Sequence, residues 1–320
     1  MILSSSRVIT RAGDGQGAAV LDDETETEAE AVADAQAVGP DQPSEAAFTA
    51  LLHEIAAEID RQLAVFLGSE AESGPHKTRV ALRRLTTALQ AFAPILKRAA
   101  AAKTRAEAKR IFRSLGEVRD ADVYLSGRRG SGDDAGSDSD LARETAELRL
   151  RVRERLRMDK AVAFAPALLR DLAEGRVLKT GKPGLAARAR PVGALAGKAL
   201  DAAWAAGLAH GPNLAKLDEE ARHEFRKDMK TLRYTAEFFE PFWPEVAWGG
   251  FHAALQELQD SLGLLNDLAV ARRKSGARAK GGKAKPGKTV LGKEEALALE
   301  QACALWLRLQ TAGPFWRAGK

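Results

Sequence analysis

A gapless internal repeat constrains this 320-residue chain more than any other feature. Adding 147 to a position in the first half finds a matching residue in the second. His76 answers to His223, Arg79 to Arg226, Arg83 to Lys230, Leu85 to Leu232, Phe92 to Phe239 and Pro94 to Pro241. Further along, Ser114-Leu115-Gly116 answers to Ser261-Leu262-Gly263, Asp120 to Asp267 and Val123 to Val270. Two blocks that hold one register imply duplication of a folding unit.

The unit reads as helical. Phe48, Leu51, Leu52, Ile55, Ile59, Leu63 and Phe66 recur at helical spacing up to a stop at Gly68. Further helices are predicted from Gly74-Pro75 to about residue 96, over 105–125, through the arginines 149, 151, 153, 155 and 157, and in a short segment ending near Glu174. The second half repeats the style over 192–209, 218–240, 250–272 and 294–311. Alanine is the commonest residue and aromatics make up only 6%, a mix that favours helices over sheets. No segment reads as a strand. The expected fold is an all-α bundle of two repeated four-helix units, about 45–174 and 191–312, related by a pseudo-twofold. Residues 1–44 hold few large apolar side chains and are expected to be a disordered acidic tail. Glycine-rich 127–140 reads as a loop and 175–190 as a linker. Residues 272–293 read as a flexible basic loop, with eight basic and no acidic residues over 272–288.

Charge narrows the class of partner. Two of the 49 basic and ten of the 44 acidic residues lie within 1–45, so the tail carries −8 and the remainder +13. A basic body of this kind points to a polyanion: nucleic acid, a membrane surface or polyphosphate. The single cysteine, Cys303, excludes a disulfide framework and a Cys-cluster zinc site. No apolar run approaches the ~20 residues of a membrane span, and the first residues lack a signal-peptide core. A soluble, cytoplasmic protein is expected.

On a helical wheel, Leu82, Leu85, Leu89 and Phe92 fall opposite His76, Arg79 and Arg83, with Arg84 and Lys77 flanking. In the second repeat Phe225, Met229, Leu232, Ala236 and Phe239 fall opposite His223, Arg226, Lys230 and Arg233, with Lys227 beside them. Each helix therefore pairs a core face with a basic stripe nearly free of carboxylates, so i,i+4 ion pairing does not explain it. Neighbouring helices add Lys109, Arg113, Arg149 and Arg153. Charges at successive turns stand about 5–6 Å apart, close to the phosphate spacing of an extended polyanion. Ordinary solvated helix faces are the plain alternative.

His76 and His223 have cations rather than carboxylates or further histidines at i+3 and i+4, which disfavours metal ligation. Asp120 and Asp267 read as carboxylates that orient basic side chains by salt bridges, or as a catalytic pair. No P-loop, dinucleotide fingerprint or nucleophile elbow is present, and no cofactor is implied.

The segments HKTRVALRRL (76–85), LGEVRDADVYL (115–125), HEFRKDMKTLRY (223–234) and LQDSLGLLNDLAVA (258–271) resemble the signature segments of the CHAD family, the histidine-bearing α-helical domain. The resemblance spans about residues 45–312. It implies two four-helix units about a pseudo-twofold, a basic surface or pore at their junction, binding of inorganic polyphosphate and association with polyphosphate granules. It carries over to His76, Arg79, Arg83, Arg84, His223, Arg226, Lys230 and Arg233. Many relatives carry a fused triphosphate-tunnel domain, whose alternating Glu-x-Glu-x-Lys strand is absent here. The expected function is a non-catalytic polyphosphate-binding module. The alternatives are a metal-dependent phosphohydrolase using His76, His223, Asp120 and Asp267, and non-specific nucleic-acid binding. The sparse aromatics, mostly on core faces, argue against sequence-specific nucleic-acid recognition and no membrane partner is expected.

Overall fold

Helix α1 (Ser44–Gly68) buries Phe48, Leu52, Ile55, Ile59, Leu63 and Phe66 along one stripe, as the spacing predicts. It belongs to a computed structural model that describes residues 39–129, 135–279 and 292–317. Among the described residues there are ten α-helices and no strand, only two isolated β-bridges. After α1 come α2 (Ser73–Ala91), α3 (Arg98–Arg129), α4 (Ala135–Met158), α5 (Phe164–Ala173) and α6 (Gly181–Ala189). The second half supplies α7 (Val192–Leu208), α8 (Glu219–Phe239), α9 (Glu245–Ala279) and α10 (Lys293–Ala312).

Packing follows chain order. α1 packs on α2, α2 on α3 and α3 on α4; α7 packs on α8, α8 on α9 and α9 on α10. Two apolar cores result. One gathers Phe48, Leu85, Phe92, Ile111, Leu115 and Val152 from the first half. The other gathers Trp204, Phe225, Met229, Leu258 and Trp306 from the second. The two meet where α2 and α8 touch. There Phe239 of α8 enters the first core and packs on Phe92, ring centroids 5.7 Å apart. Burial of these rings holds the crossing of α2 and α8 in place, and so fixes how their polar faces lie relative to each other.

The strap before α1 is ordered earlier than expected, from Gly39. Its carbonyls at Pro40 and Gln42 accept from the Gly193 and Val192 N–H groups at 2.8 Å. In return the Arg190 carbonyl accepts from both the Ser44 N–H and its Oγ. The starts of α1 and α7 thus satisfy each other's orphan donors, which fixes residues 39–43 despite their polar composition.

Several expected boundaries shift. α3 begins at Arg98 rather than 105, because residues 99–102 are four alanines, the best helix former. α2 stops at Ala91 and Pro94 sits in a 3₁₀ turn, since proline cannot continue an α-helix. Both ends of the expected 127–140 loop are helical, as α3 runs to Arg129 and α4 starts at Ala135, and residues 130–134 lie outside the described residues. The expected linker 175–190 contains α6 and a backbone bridge, with Lys97 N–H donating to Val177 O and Lys179 N–H to Ile95 O. Helix α9 continues to Ala279, through the first part of the expected basic loop. Alanine, arginine and lysine there all favour helix, up to Gly281-Gly282. The tail to residue 38 and the Lys-rich stretch 280–291 lie outside the described residues.

Candidate functional site

The apolar stripes of α2 and α8 are spent on the cores, so their basic stripes are left at the crossing. Lys230 of α8 has Arg83 and Arg79 of α2 among its charged neighbours, together with Arg226 and Arg233 of its own helix. Burial, reinforced by these cations, brings its ammonium down from the usual lysine range to about 7. Burial likewise holds Arg83 and Arg226 below the ordinary guanidinium range, although arginine stays charged under working conditions. Tyr234, only 3% exposed, lies under Arg233, whose guanidinium carbon stands 5.0 Å from its ring centre. Among the described residues Arg83, Arg226 and Lys230 have no carboxylate partner within ion-pair distance, and the buried Arg226 Nε has no hydrogen-bond acceptor. Several half-buried cations sharing one site without an ion-paired carboxylate is a costly arrangement.

Two glycines shape this site. Arg79 crosses α3 at Gly116, with its Nη1 in the space a β-carbon there would need and donating to Phe112 O at 3.2 Å. The Arg79 and Arg83 guanidinium carbons stand 4.0 and 5.2 Å from the Phe112 ring centre, a cation–π platform. In the second half Arg226 Nη2 approaches Gly263 of α9, 4.0 Å from the corresponding β-carbon position. Asp120 and Asp267, one turn beyond each glycine, favour the charged forms of Arg79 and Arg226 respectively. Among the described residues neither forms the salt bridge expected of it; their influence is through space.

Both site histidines remain accessible to solvent. Burial of part of the His76 ring, then Arg119, Lys230, Arg79 and Lys77, lower its affinity for a proton. Partial burial also lowers His223, with Lys227 acting in the same direction and Glu224 and an Asn266 hydrogen bond opposing it. Both rings are thereby biased toward the neutral imidazole, and a bound anion would favour the protonated form. Among the described residues no three of His, Cys, Asp and Glu gather as a metal site would require.

The family comparison agrees with this geometry in extent. A model of the CHAD domain matches residues 46–274. The chain belongs to the CHAD domain family. Its fold is similar to the crystal structure of the CHAD domain from the plant Ricinus communis, at 21% identity and a TM-score of 0.64, covering 90% of this chain and 96% of that one. It is also similar to PptA from Streptomyces chartreusis, at 19% identity and a TM-score of 0.50, covering 84% of this chain and 99% of that one. At these identities the likeness concerns the fold alone. No curated protein matches the chain.

The CHAD crossing gathers some of the expected site residues and not others. His76, Arg79, Arg83, Arg226, Lys230 and Arg233 share one electrostatic neighbourhood. Arg233 Nη1 donates to Gln256 Oε1 at 3.0 Å, and Glu237 lies 3.5 Å from its Nε, so this cation is partly compensated. Arg84 turns to Glu54 at 3.1 Å and to the Phe238 ring. Lys227 donates to Glu224 at 2.6 Å. Lys109 and Arg113 are exposed on α3. Arg149 and Arg153 are a correction. They are 4% and 6% exposed and hold the α1–α2 turn from beneath. Arg149 forks onto Asp122 at 2.8 and 3.0 Å and onto the Glu70 and Ala71 carbonyls. Arg153 donates to the Phe66 and Ser69 carbonyls and to Glu70. Buried arginines are costly unless paired; every nitrogen of both side chains donates to the α1–α2 turn, to Glu70 or to Asp122, which makes both residues structural. Sequence reasoning missed Phe112, Arg119, Tyr234 and Asn266. Arg119 and Asn266 were legible in principle, since each lies three residues past a register-matched glycine and so on the same helix face.

Among the described residues no helix is long and apolar enough to cross a membrane.

Proposed function

We propose that this CHAD protein binds inorganic polyphosphate across the α2–α8 crossing, as a binding module rather than an enzyme. The observation that carries the reading is the set Arg83, Arg226 and Lys230, half-buried together without a carboxylate partner. A repeating anion supplies that missing counter-charge by charge-assisted hydrogen bonds from guanidinium, ammonium and protonated imidazole. Association with polyphosphate granules follows from such binding. Nucleic acid fits less well. The aromatic rings nearest the cations, Phe112, Tyr234 and Phe238, each lie against an arginine, so these rings are not free for stacking bases. The enzyme alternative would place a metal beside His76, where the strongest charged influences are the cations Arg119, Lys230, Arg79 and Lys77.

Calorimetry with long-chain polyphosphate tests the proposal. The double variant Arg83→Glu/Arg226→Glu is expected to lose binding while keeping its helical circular dichroism. Undiminished affinity in a folded double variant would sink it. Competition with duplex DNA at one salt concentration separates polyphosphate preference from general anion binding.

A further inference from the structure

The two ends of the basic track differ in charge. Position 77 is lysine, but its register partner is Glu224; position 119 is arginine, but its partner is Asn266. These divergences fall on the site. Arg119 lies one turn beyond Gly116 on the α3 face that Arg79 crosses, and Asn266 lies one turn beyond Gly263 on the α9 face that Arg226 approaches. Around His76 the leading charged influences are the cations Arg119, Lys230, Arg79 and Lys77, with Asp120 acting on Arg79. Around His223 the protein cancels its own charge: Lys227 Nζ donates to Glu224 Oε1 at 2.6 Å. Asn266 Nδ2 also donates to Asp267 Oδ1 at 3.3 Å.

A linear condensed phosphate is itself unequal along its length. Each internal phosphate carries one charge, whereas each terminal phosphate carries a second that ionises near neutral pH, as phosphomonoesters do. We propose that the His76 end is a terminal-phosphate subsite, in which Arg119, with Lys77 and Lys230, receives the doubly charged end group. The singly charged internal phosphates then run along Arg83 and Arg226 toward His223. Arg119 is the residue that sets this preference, because its counterpart at the other end is neutral. The inference rests on the polyphosphate reading and deepens it from chain binding to end recognition.

Linear tripolyphosphate and cyclic trimetaphosphate form the deciding pair of probes, since the ring has no terminal phosphate. Both are titrated calorimetrically into the full chain and into Arg119→Asn, with circular dichroism to check the fold. Arg119→Asn is expected to weaken tripolyphosphate about tenfold, the loss of one charge-assisted hydrogen bond, and trimetaphosphate less than twofold. Equal losses on the two anions overturn end recognition and leave polyanion binding standing. A wild-type chain that binds neither anion nor long polyphosphate overturns the underlying function instead. Should Arg119→Asn lose helicity, Asn266→Arg carries the test. It is expected to tighten tripolyphosphate more than trimetaphosphate, and equal changes overturn the proposal.

Discussion

The guanidinium of Arg79 occupies the place where a β-carbon at residue 116 would stand, and it is tied there by its bond to Phe112 O. At the register-matched pair, Arg226 only touches the same position at Gly263, at 4.0 Å. Both glycines lie inside helices, where glycine costs about 1 kcal/mol relative to alanine. The cost at 116 is offset by a guanidinium aimed across α3; at 263 it is not.

Gly116→Ala should therefore displace the Arg79 tip, which is the movable end of a flexible side chain. The expected outcome is near-unchanged stability in urea denaturation with polyphosphate affinity lowered about tenfold, one charge-assisted contact. Gly263→Ala should gain about 0.5–1 kcal/mol of stability with affinity within twofold of wild type. Equal effects of the two substitutions on binding would show that the Arg79 slot plays no part.

Binding should weaken as pH rises above neutral. Lys230 drops from the ordinary 10.5 to about 7 in the free fold, so above pH 7 the site holds a neutral amine. A bound polyanion favours the ammonium, so binding takes up a proton and affinity falls between about pH 7 and the higher bound-state value. Folding runs the other way. The unfolded chain keeps the Lys230 proton up to its higher pKa, so this group's contribution makes the fold more stable as pH rises from about 7 toward 10.5. Lys230→Arg keeps its charge throughout. Titrations between pH 7.5 and 9 should show a sloping affinity for wild type and a flatter one for Lys230→Arg; identical slopes would remove Lys230 from the site.

Salt should screen the interaction steeply. If Arg79, Arg83, Arg226 and Lys230 each neutralise a phosphate, the logarithm of affinity should fall against the logarithm of salt with a slope of roughly 3, by analogy with single-stranded nucleic acid. Arg83→Gln should reduce that slope by about one contact. A salt-independent affinity would mean that the cations do not meet the anion.

Arg149 should matter to folding and not to ligand. Removing it leaves Asp122, whose side chain is 3% exposed, as an uncompensated buried carboxylate. Burial already pushes that carboxyl's proton affinity up, against the pull of Arg149. Arg149→Ala is expected to cost about 3–5 kcal/mol in urea denaturation, with polyphosphate affinity unchanged under conditions where the variant is folded. A loss below about 1 kcal/mol would show that the pair does not hold the α1–α2 turn.

Helix content, the core stripes and the paired basic faces were legible in the sequence because they depend on local periodicity. Phe48 through Phe66, or Leu82 through Phe92, announce a buried stripe whatever they pack against. Helix ends were less legible, because the alanines at 99–102 let α3 begin before the expected 105, and α9 continues into the segment read as a basic loop.

Which cations are free was decided only by tertiary structure. Arg149, Arg153 and Arg83 look alike on a wheel. Yet Glu70 and Asp122, from other parts of the chain, claim the first two, while among the described residues Arg83 finds no carboxylate within ion-pair distance. The same holds for Lys230, whose ordinary sequence surroundings give no sign of a lowered proton affinity until the fold buries it and α2 brings Arg83 and Arg79 beside it. Periodicity sets which face a side chain lies on, because it repeats within a few residues. Burial and charge pairing depend on groups far away in sequence, so they exist only once the two helices cross.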